Sequence, residues 1–411
     1  LNLAYAQHAG HNQNASATNA AAASNIVGHE TAFAPNSKAI SNACKDTSLN
    51  CAKSATPAFA PDGSLWLVWS AGGAVSLSRS GDLGRTFEPP IEIAQHGSFL
   101  DVGADARPQI VINKAGNFAI AYAFFKDKQW NAQVNIVSSQ DAGKSFSEAR
   151  PLVIDGASQR FPTLALTPQG QLFATWIDKR LVAAAKQRGD KKEGGSIAYA
   201  WSRDMGNSFQ TERILHDHNC ECCRLGVDLT PQGMPALVYR AIFDGTTRDH
   251  AVQIFTSEDK ATEARPVSND NWFTNSCPHH GPAIAVSHAG TLHTAWYTQG
   301  TNRVGTYYAR STDNGEHFAT PRELGKVDSL SGRPYLLAKG ETIWLVWKNF
   351  DGQQASVIMQ KSLDDGATWS PPKEIARGSG HTDHPLLLEH DAKVYLSWLT
   401  SSEGYQLKAL N

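Results

Sequence analysis

Three short stretches of this 411-residue chain hold six of its fifteen histidines and four of its six cysteines. They are His216-Asp-His-Asn-Cys-Glu-Cys-Cys-Arg224, Asn275-Ser-Cys-Pro-His-His280 and His381-Thr-Asp-His384. Thiolates and imidazoles are the donors that Cu(I) and Zn(II) favour. On that chemistry His216, His218, Cys220, Cys222, Cys223, Cys277, His279, His280, His381 and His384 form a candidate copper or zinc site. The spacing C-x-C-C with a distant Cys-Pro-His-His matches no standard zinc motif. An oxidised reading stands beside it, in which Cys220, Cys222, Cys223 and Cys277 form two disulfides and the histidines are solvated. A disulfide-pinned platform bearing a histidine-only metal site combines the two.

These residues need elements to position them, and the chain supplies repeats. Five segments fit S-x-D-x-G-x-x-[FW]: Ser80 to Phe87, Ser139 to Phe146, Ser202 to Phe209, Ser311 to Phe318 and Ser362 to Trp369. Such a segment is a self-capping hairpin turn. The Asp accepts backbone N–H bonds, the Gly takes positive φ, and the aromatic ring plugs back between strands. Upstream of each lies a short apolar strand, a turn with Gly or Asp, and an alternating strand rich in Trp, as in Ala55 to Trp69. Seven such starts, spaced by roughly 50 to 65 residues, fit the four-stranded blades of a propeller.

The five segments resemble the Asp box of the sialidase-like, or BNR-repeat, β-propellers, over the chain from about Thr31 to its end. The fold expected is therefore all-β, a seven-bladed β-propeller of four-stranded blades. The fourth blade carries only Ser257-Glu-Asp-Lys, without the Gly, and a looser turn is expected there. The seventh stops after its third strand. Phe33 to Ile40 resembles the segment after the first box, so the N-terminal strand is expected to complete the last blade and close the ring.

In this arrangement the start of each inner strand opens on the channel face opposite the boxes, where convergent residues form the default binding site. Asp105-Ala-Arg107, Ser158-Gln-Arg160, Arg224 and Ser331-Gly-Arg333 reach that face together with the Cys/His stretches. Arg107, Arg160, Arg224 and Arg333 are candidate ligands for an anion, since guanidinium forks match carboxylates. The alternative is that each Arg-Pro caps its strand and pairs with a neighbouring blade's carboxylate. The resemblance implies sialidase chemistry, for which Tyr335, Asp105 and Glu221 are weak catalytic candidates. Six blades, an Arg-Ile-Pro motif and a Tyr-Glu pair belong to those enzymes and are not matched here.

Composition bounds the rest. With 37 basic and 39 acidic side chains the formal charge is −2, and no basic run marks a nucleic-acid partner. No apolar run reaches the roughly 18 residues that a bilayer span needs. Leu1 to Ala6 ends like a signal-peptide cleavage site, so residues 1–6 are expected to be its remnant, 7–30 a flexible tail and 31–411 one propeller domain. A periplasmic or secreted location follows, with a local Cys44–Cys51 disulfide. No nucleotide cofactor is expected. Three functions fit: a protein binding a metal ion or an anionic ligand, a glycoside hydrolase or lyase acting on acidic sugars, and a protein-interaction platform anchored by Trp272 and Phe273.

Overall fold

The computed structural model describes residues 46–274, 279–325 and 330–410. They form seven antiparallel sheets in which strands pair in chain order, the up-and-down meander of a propeller blade, except that in blade four both Lys260–Ala261 and Arg265–Pro266 pair with His250–Ser257. The inner strands are Ser54–Phe59, Gln109–Ile112, Gln159–Leu166, Gly226–Leu229, Ala283–Val286, Leu330–Lys339 and Leu386–His390. Each packs on the next, and the seventh packs on the first, so the ring is closed. Blade seven has three strands among the described residues, ending at Gly404–Leu410. The segment expected to complete it, Phe33 to Ile40, lies outside the described residues, as do the expected signal remnant and tail.

Alternation along each second strand sends one face to each neighbouring blade, and this divides the core into one apolar cluster per junction. Trp66, Phe118 and Ile120 join blades one and two; Phe173, Trp201, Leu237 and Phe255 join three and four. Trp344, Val346, Leu396 and Trp398 join six and seven. Trp69, Leu67 and Leu399 close the ring between blades seven and one. The Trp at the corresponding position of five second strands is fully buried: Trp69, Trp176, Trp296, Trp347 and Trp398. A buried indole N–H must find an acceptor. Those of Trp176, Trp296 and Trp347 donate to Asp178, Asp270 and Asn349, and that of Trp398 to the Asp383 carbonyl.

The five hairpin turns share one hydrogen-bond pattern. In the first, the Ser80 hydroxyl accepts the Gly84 N–H and donates to Asp82, both at 2.8 Å. Asp82 then accepts the Thr86 N–H at 2.9 Å and its hydroxyl at 2.7 Å. Asp141, Asp204, Asp313 and Asp364 are bonded in the same way, with the His317 ring in place of a hydroxyl at Asp313. Hydrogen bonds from the residue four positions on hold the Asp82, Asp141 and Asp364 carboxyls down at about 2. The aromatic ring of each turn enters the junction with the preceding blade, as Trp369 does edge-on to Tyr308 at 4.9 Å.

Two elements depart from expectation. The turn of blade four is tighter than the others: Glu258 and Asp259 alone separate the paired residues Ser257 and Lys260. Without the Gly that a longer box turn needs, the chain makes a two-residue hairpin. Glu258 then accepts from Arg203 and Gln171 of blade three. Between the second and third strands of blade three, Arg180–Gln187 is a short α-helix, which the all-β expectation did not include. Its run Leu181-Val-Ala-Ala-Ala-Lys favours helix through three consecutive alanines.

Candidate functional site at the channel mouth

The inner strands deliver their first residues to one mouth of the channel, and Asp105 lies at its centre. Its Oδ2 accepts from Arg333 Nη1 at 2.9 Å, and its Oδ1 lies 3.2 Å from Arg224 Nε and 4.0 Å from His384 Nδ1. Arg333 also donates to the His279 carbonyl, and Arg224 to the carbonyls of Pro282 and Pro334. One carboxylate thus holds blades four and six to the loop before blade two. A second stitch is Asp383, which accepts from Arg107 Nη2 at 2.5 Å and from the Ala55 N–H at 3.0 Å. It ties blade seven to blades one and two, where the ring closes.

Arg107 and Arg333 therefore pair with carboxylates from other blades or entry loops, as the strand-capping alternative has it. Arg160 does likewise, gripping Asp101 with two bonds of 2.7 and 2.8 Å while its guanidinium lies over the rings of Phe161 and Phe125. These pairs leave charge over. Arg107, Arg333 and Lys348 are 5, 8 and 1% exposed, and Arg224 joins them against the two carboxylates of Asp105 and Asp383. Lys348 Nζ donates to the Thr382 carbonyl at 2.8 Å. Burial, reinforced by the positive charge of Arg333, pushes its pKa down to about 7.

Around this cationic cluster lie groups whose ionisation burial opposes. Burial, followed by the charges of Arg333, Arg224 and Arg107, keeps His384 well below the ordinary histidine range, and its Nδ1 has no hydrogen-bond partner. Burial also lowers His279. Tyr335 is partly buried as a residue, and burial raises its phenol, a shift that Arg224 and Arg107 oppose and Asp228 reinforces. Asp228, on the inner strand of blade four, is raised by burial to about 6 while accepting the Val286 N–H at 2.7 Å and the Leu229 N–H at 2.8 Å. Sequence reasoning passed over it, because a lone Asp in an apolar strand carries no motif.

The Cys/His stretches divide. Cys220, Cys222 and Cys223 are buried free thiols, with Cys220 Sγ 3.5 Å from Cys222 Sγ and 3.9 Å from Cys223 Sγ. The reading of these cysteines as disulfides is corrected by those separations, far beyond an S–S bond of about 2.05 Å. The three sulfurs lie within 4.8 Å of one another, the spacing of a possible metal site. His216 and His218 stand apart on the outer strand of blade three, Arg213–Asn219, with His216 packed on Tyr239. His280 stacks on Tyr297 at 4.1 Å, and His381 donates to the Lys53 carbonyl at 2.7 Å. Cys277 lies outside the described residues. Cys51 is buried and disulfide-bonded, and Cys44, its expected partner, is also outside them.

Glu221 pairs with Lys179, half-exposed at the rim. Trp272 is buried beneath the Arg240 guanidinium, 4.1 Å from its ring centre, so of the two anchors named for a protein partner only Phe273 is exposed. A separate groove of about 460 Å³ lies on the flank between blades one and two, lined by Glu92, His96, Tyr122, Asn135, Phe146 and Glu148.

No family model matches the chain. One stretch of 80 residues, 19% of the chain, is 28% identical to glucosamine inositolphosphorylceramide transferase 1 of Oryza sativa subsp. indica and subsp. japonica, and it spans 11% of the length of those proteins. Among solved structures, the fold is similar to that of a PL25 ulvan lyase, described as a new family of polysaccharide lyase. The TM-score is 0.55 at 12% identity, covering 86% of this chain and 92% of that one. The polysaccharide lyase Uly1 matches at 0.54 and 12%, over 84% of this chain and 86% of its own. A PL25 ulvan lyase bound to -[GlcA(1-4)Rha3S]- matches at 0.54. At such identities the likeness is one of fold. No helix among the described residues is long and apolar enough to cross a membrane.

Proposed function

We propose that the channel mouth binds an acidic carbohydrate and that the chemistry it performs is elimination at a uronate. The observation that carries the reading is the excess of buried cations below neutral pH: Arg107, Arg224, Arg333 and protonated Lys348 against Asp105 and Asp383, with Asp228 ionising only above about 6. A carboxylated or sulfated sugar supplies the missing negative charge, and desolvated guanidinium groups reward it strongly. The ulvan-lyase relative in fold was solved with a ligand carrying glucuronate and sulfated rhamnose, which supports this ligand class.

Elimination needs three contributions, and the uncharged groups at the mouth suit it better than hydrolysis. Arg224 and Arg333 engage the uronate carboxylate, making the proton on the adjacent carbon acidic. Neutral His384 accepts that proton at Nδ1 as the C4–C5 double bond forms. The C4–O bond breaks, and its oxygen takes the phenol proton of Tyr335. Most glycoside hydrolases instead need a pair of carboxyl groups free to act as acid and as base or nucleophile. Asp105 and Asp383 are both committed to arginines.

The test is incubation with glucuronate-containing, sulfated polysaccharide, following the ultraviolet absorbance of the unsaturated product. Turnover that falls by about 100-fold or more in His384→Ala is expected for loss of a general base. Release of reducing ends without that absorbance marks hydrolysis and refutes elimination.

A further inference from the structure

The thiol cluster lies outside this chemistry and has features of its own. Cys220, Cys222 and Cys223 stand on the loop between the outer strand of blade three and the inner strand of blade four. The loop is tied down where the Cys220 N–H donates to the Arg240 carbonyl at 2.9 Å. Their three buried sulfurs lie within 4.8 Å of one another. Arg248 Nη1 lies 3.5 Å from Cys220 Sγ, and the buried Arg240 adds a second positive charge acting on that sulfur. His250, which faces Arg240 across the paired strands, is 1% exposed, and neither of its ring nitrogens has a hydrogen-bond partner. A thiol cluster, two guanidinium groups and an unsatisfied buried imidazole together describe a site prepared for a bound ion.

We propose that Cys220, Cys222 and Cys223 bind one monovalent thiophilic ion, Cu(I), through three sulfurs, and that this clamps the loop carrying Arg224 to the channel mouth. Donor softness and coordination number decide between ions. Thiolate donors select Cu(I) by softness, and zinc takes four ligands in structural sites. Binding forms three Cu–S bonds and releases to solvent the protons still on the thiols. Because Arg224 directly follows Cys223, fixing these sulfurs also fixes the guanidinium that meets Asp105.

The experiment loads the reduced full chain with Cu(I) anaerobically against excess bicinchoninate, then measures copper per chain by native mass spectrometry and its neighbours by X-ray absorption. One copper with three sulfur neighbours is expected, with affinity at least about 10-fold weaker in Cys222→Ser and in Cys223→Ser. The wild-type spectrum keeps the test decisive if those variants misfold. No copper on the wild type, fewer than three sulfurs around it, preferential uptake of zinc from an equimolar mixture, or retention of copper when all three cysteines are serine overturns the proposal. Sugar binding is not read in any arm, so the two proposals stand or fall separately.

Discussion

Asp105 and Asp383 each hold more than one blade, and a buried carboxylate that satisfies several donors is expensive to lose. Asp105→Asn leaves Arg224 and Arg333 without their counter-charge, and breaking a buried pair in this way costs about 3–5 kcal/mol. Urea unfolding of the variant is expected to show that loss, partly recovered by an acidic sugar that replaces the charge; an unchanged midpoint would show the pairs to be solvated. Lys348 gives a pH signature. Its folded pKa of about 7 lies below the ordinary lysine value of about 10.4, so between these limits the unfolded chain binds more protons than the folded one. This group's contribution to stability therefore rises with pH from about 7, while the positive charge offered to an anion disappears. Affinity for an acidic sugar is expected to fall as pH rises through 7, and Lys348→Met is expected to abolish that step in a calorimetric pH series. Asp228 has the opposite sign: its folded pKa of about 6 is raised, so its contribution is present at low pH and lost as pH rises through 6. Stability measured from pH 4 to 7 is expected to be flatter in Asp228→Asn.

The elements were legible wherever chemistry and spacing repeat. Ser, Asp, Gly and aromatic at fixed offsets marked five hairpins because each residue has a separate local duty in the turn, and the hydrogen bonds of Asp82 and Asp141 carry out those duties. The sequence was less informative where partners are distant. His381-Thr-Asp-His384 attracts attention for its histidines, yet Asp383 makes the contacts that join three blades. Nothing in its neighbourhood announces Arg107, 276 residues away. The cysteines were found by enrichment, but only coordinates could separate free thiols from disulfides. The turn glycines allow a direct test. Gly143 has φ +80°, and an added Cβ would stand 2.9 Å from the Trp66 ring that packs on Phe118, while Gly340, φ +60°, meets nothing within 4 Å. Gly143→Ala is expected to lose about 2–3 kcal/mol from strain plus overpacking, and Gly340→Ala about 1 kcal/mol from strain alone. Equal melting points for the two would show that the ring does not constrain the turn.

At the scale of the molecule, seven apolar junctions share the load, and the closing one, the smallest, is built on Trp69, Leu67 and Leu399. Leu399 is buried there against Trp69 and Leu67. Leu399→Ala is expected to cost about 2–5 kcal/mol, the range for a buried leucine cavity, and to lower the midpoint of a denaturant titration. Blade number was readable from the count of strand starts, since each blade must supply its own apolar pair of faces. Which mouth of the channel carries charge followed from strand direction. How much of that charge is already neutralised did not, because it depends on pairs formed between blades. Ring closure places those pairs, and the surplus cations they leave are the basis for an acidic ligand.

The most direct measurement is calorimetric titration of the protein with a sulfated glucuronate oligosaccharide and with an uncharged oligosaccharide of the same length. The account predicts saturable binding of the charged ligand alone, weakened by added salt and lost in Arg224→Met. Equal affinity for the two sugars, or charged-sugar binding that survives Arg224→Met together with Lys348→Met, would contradict it.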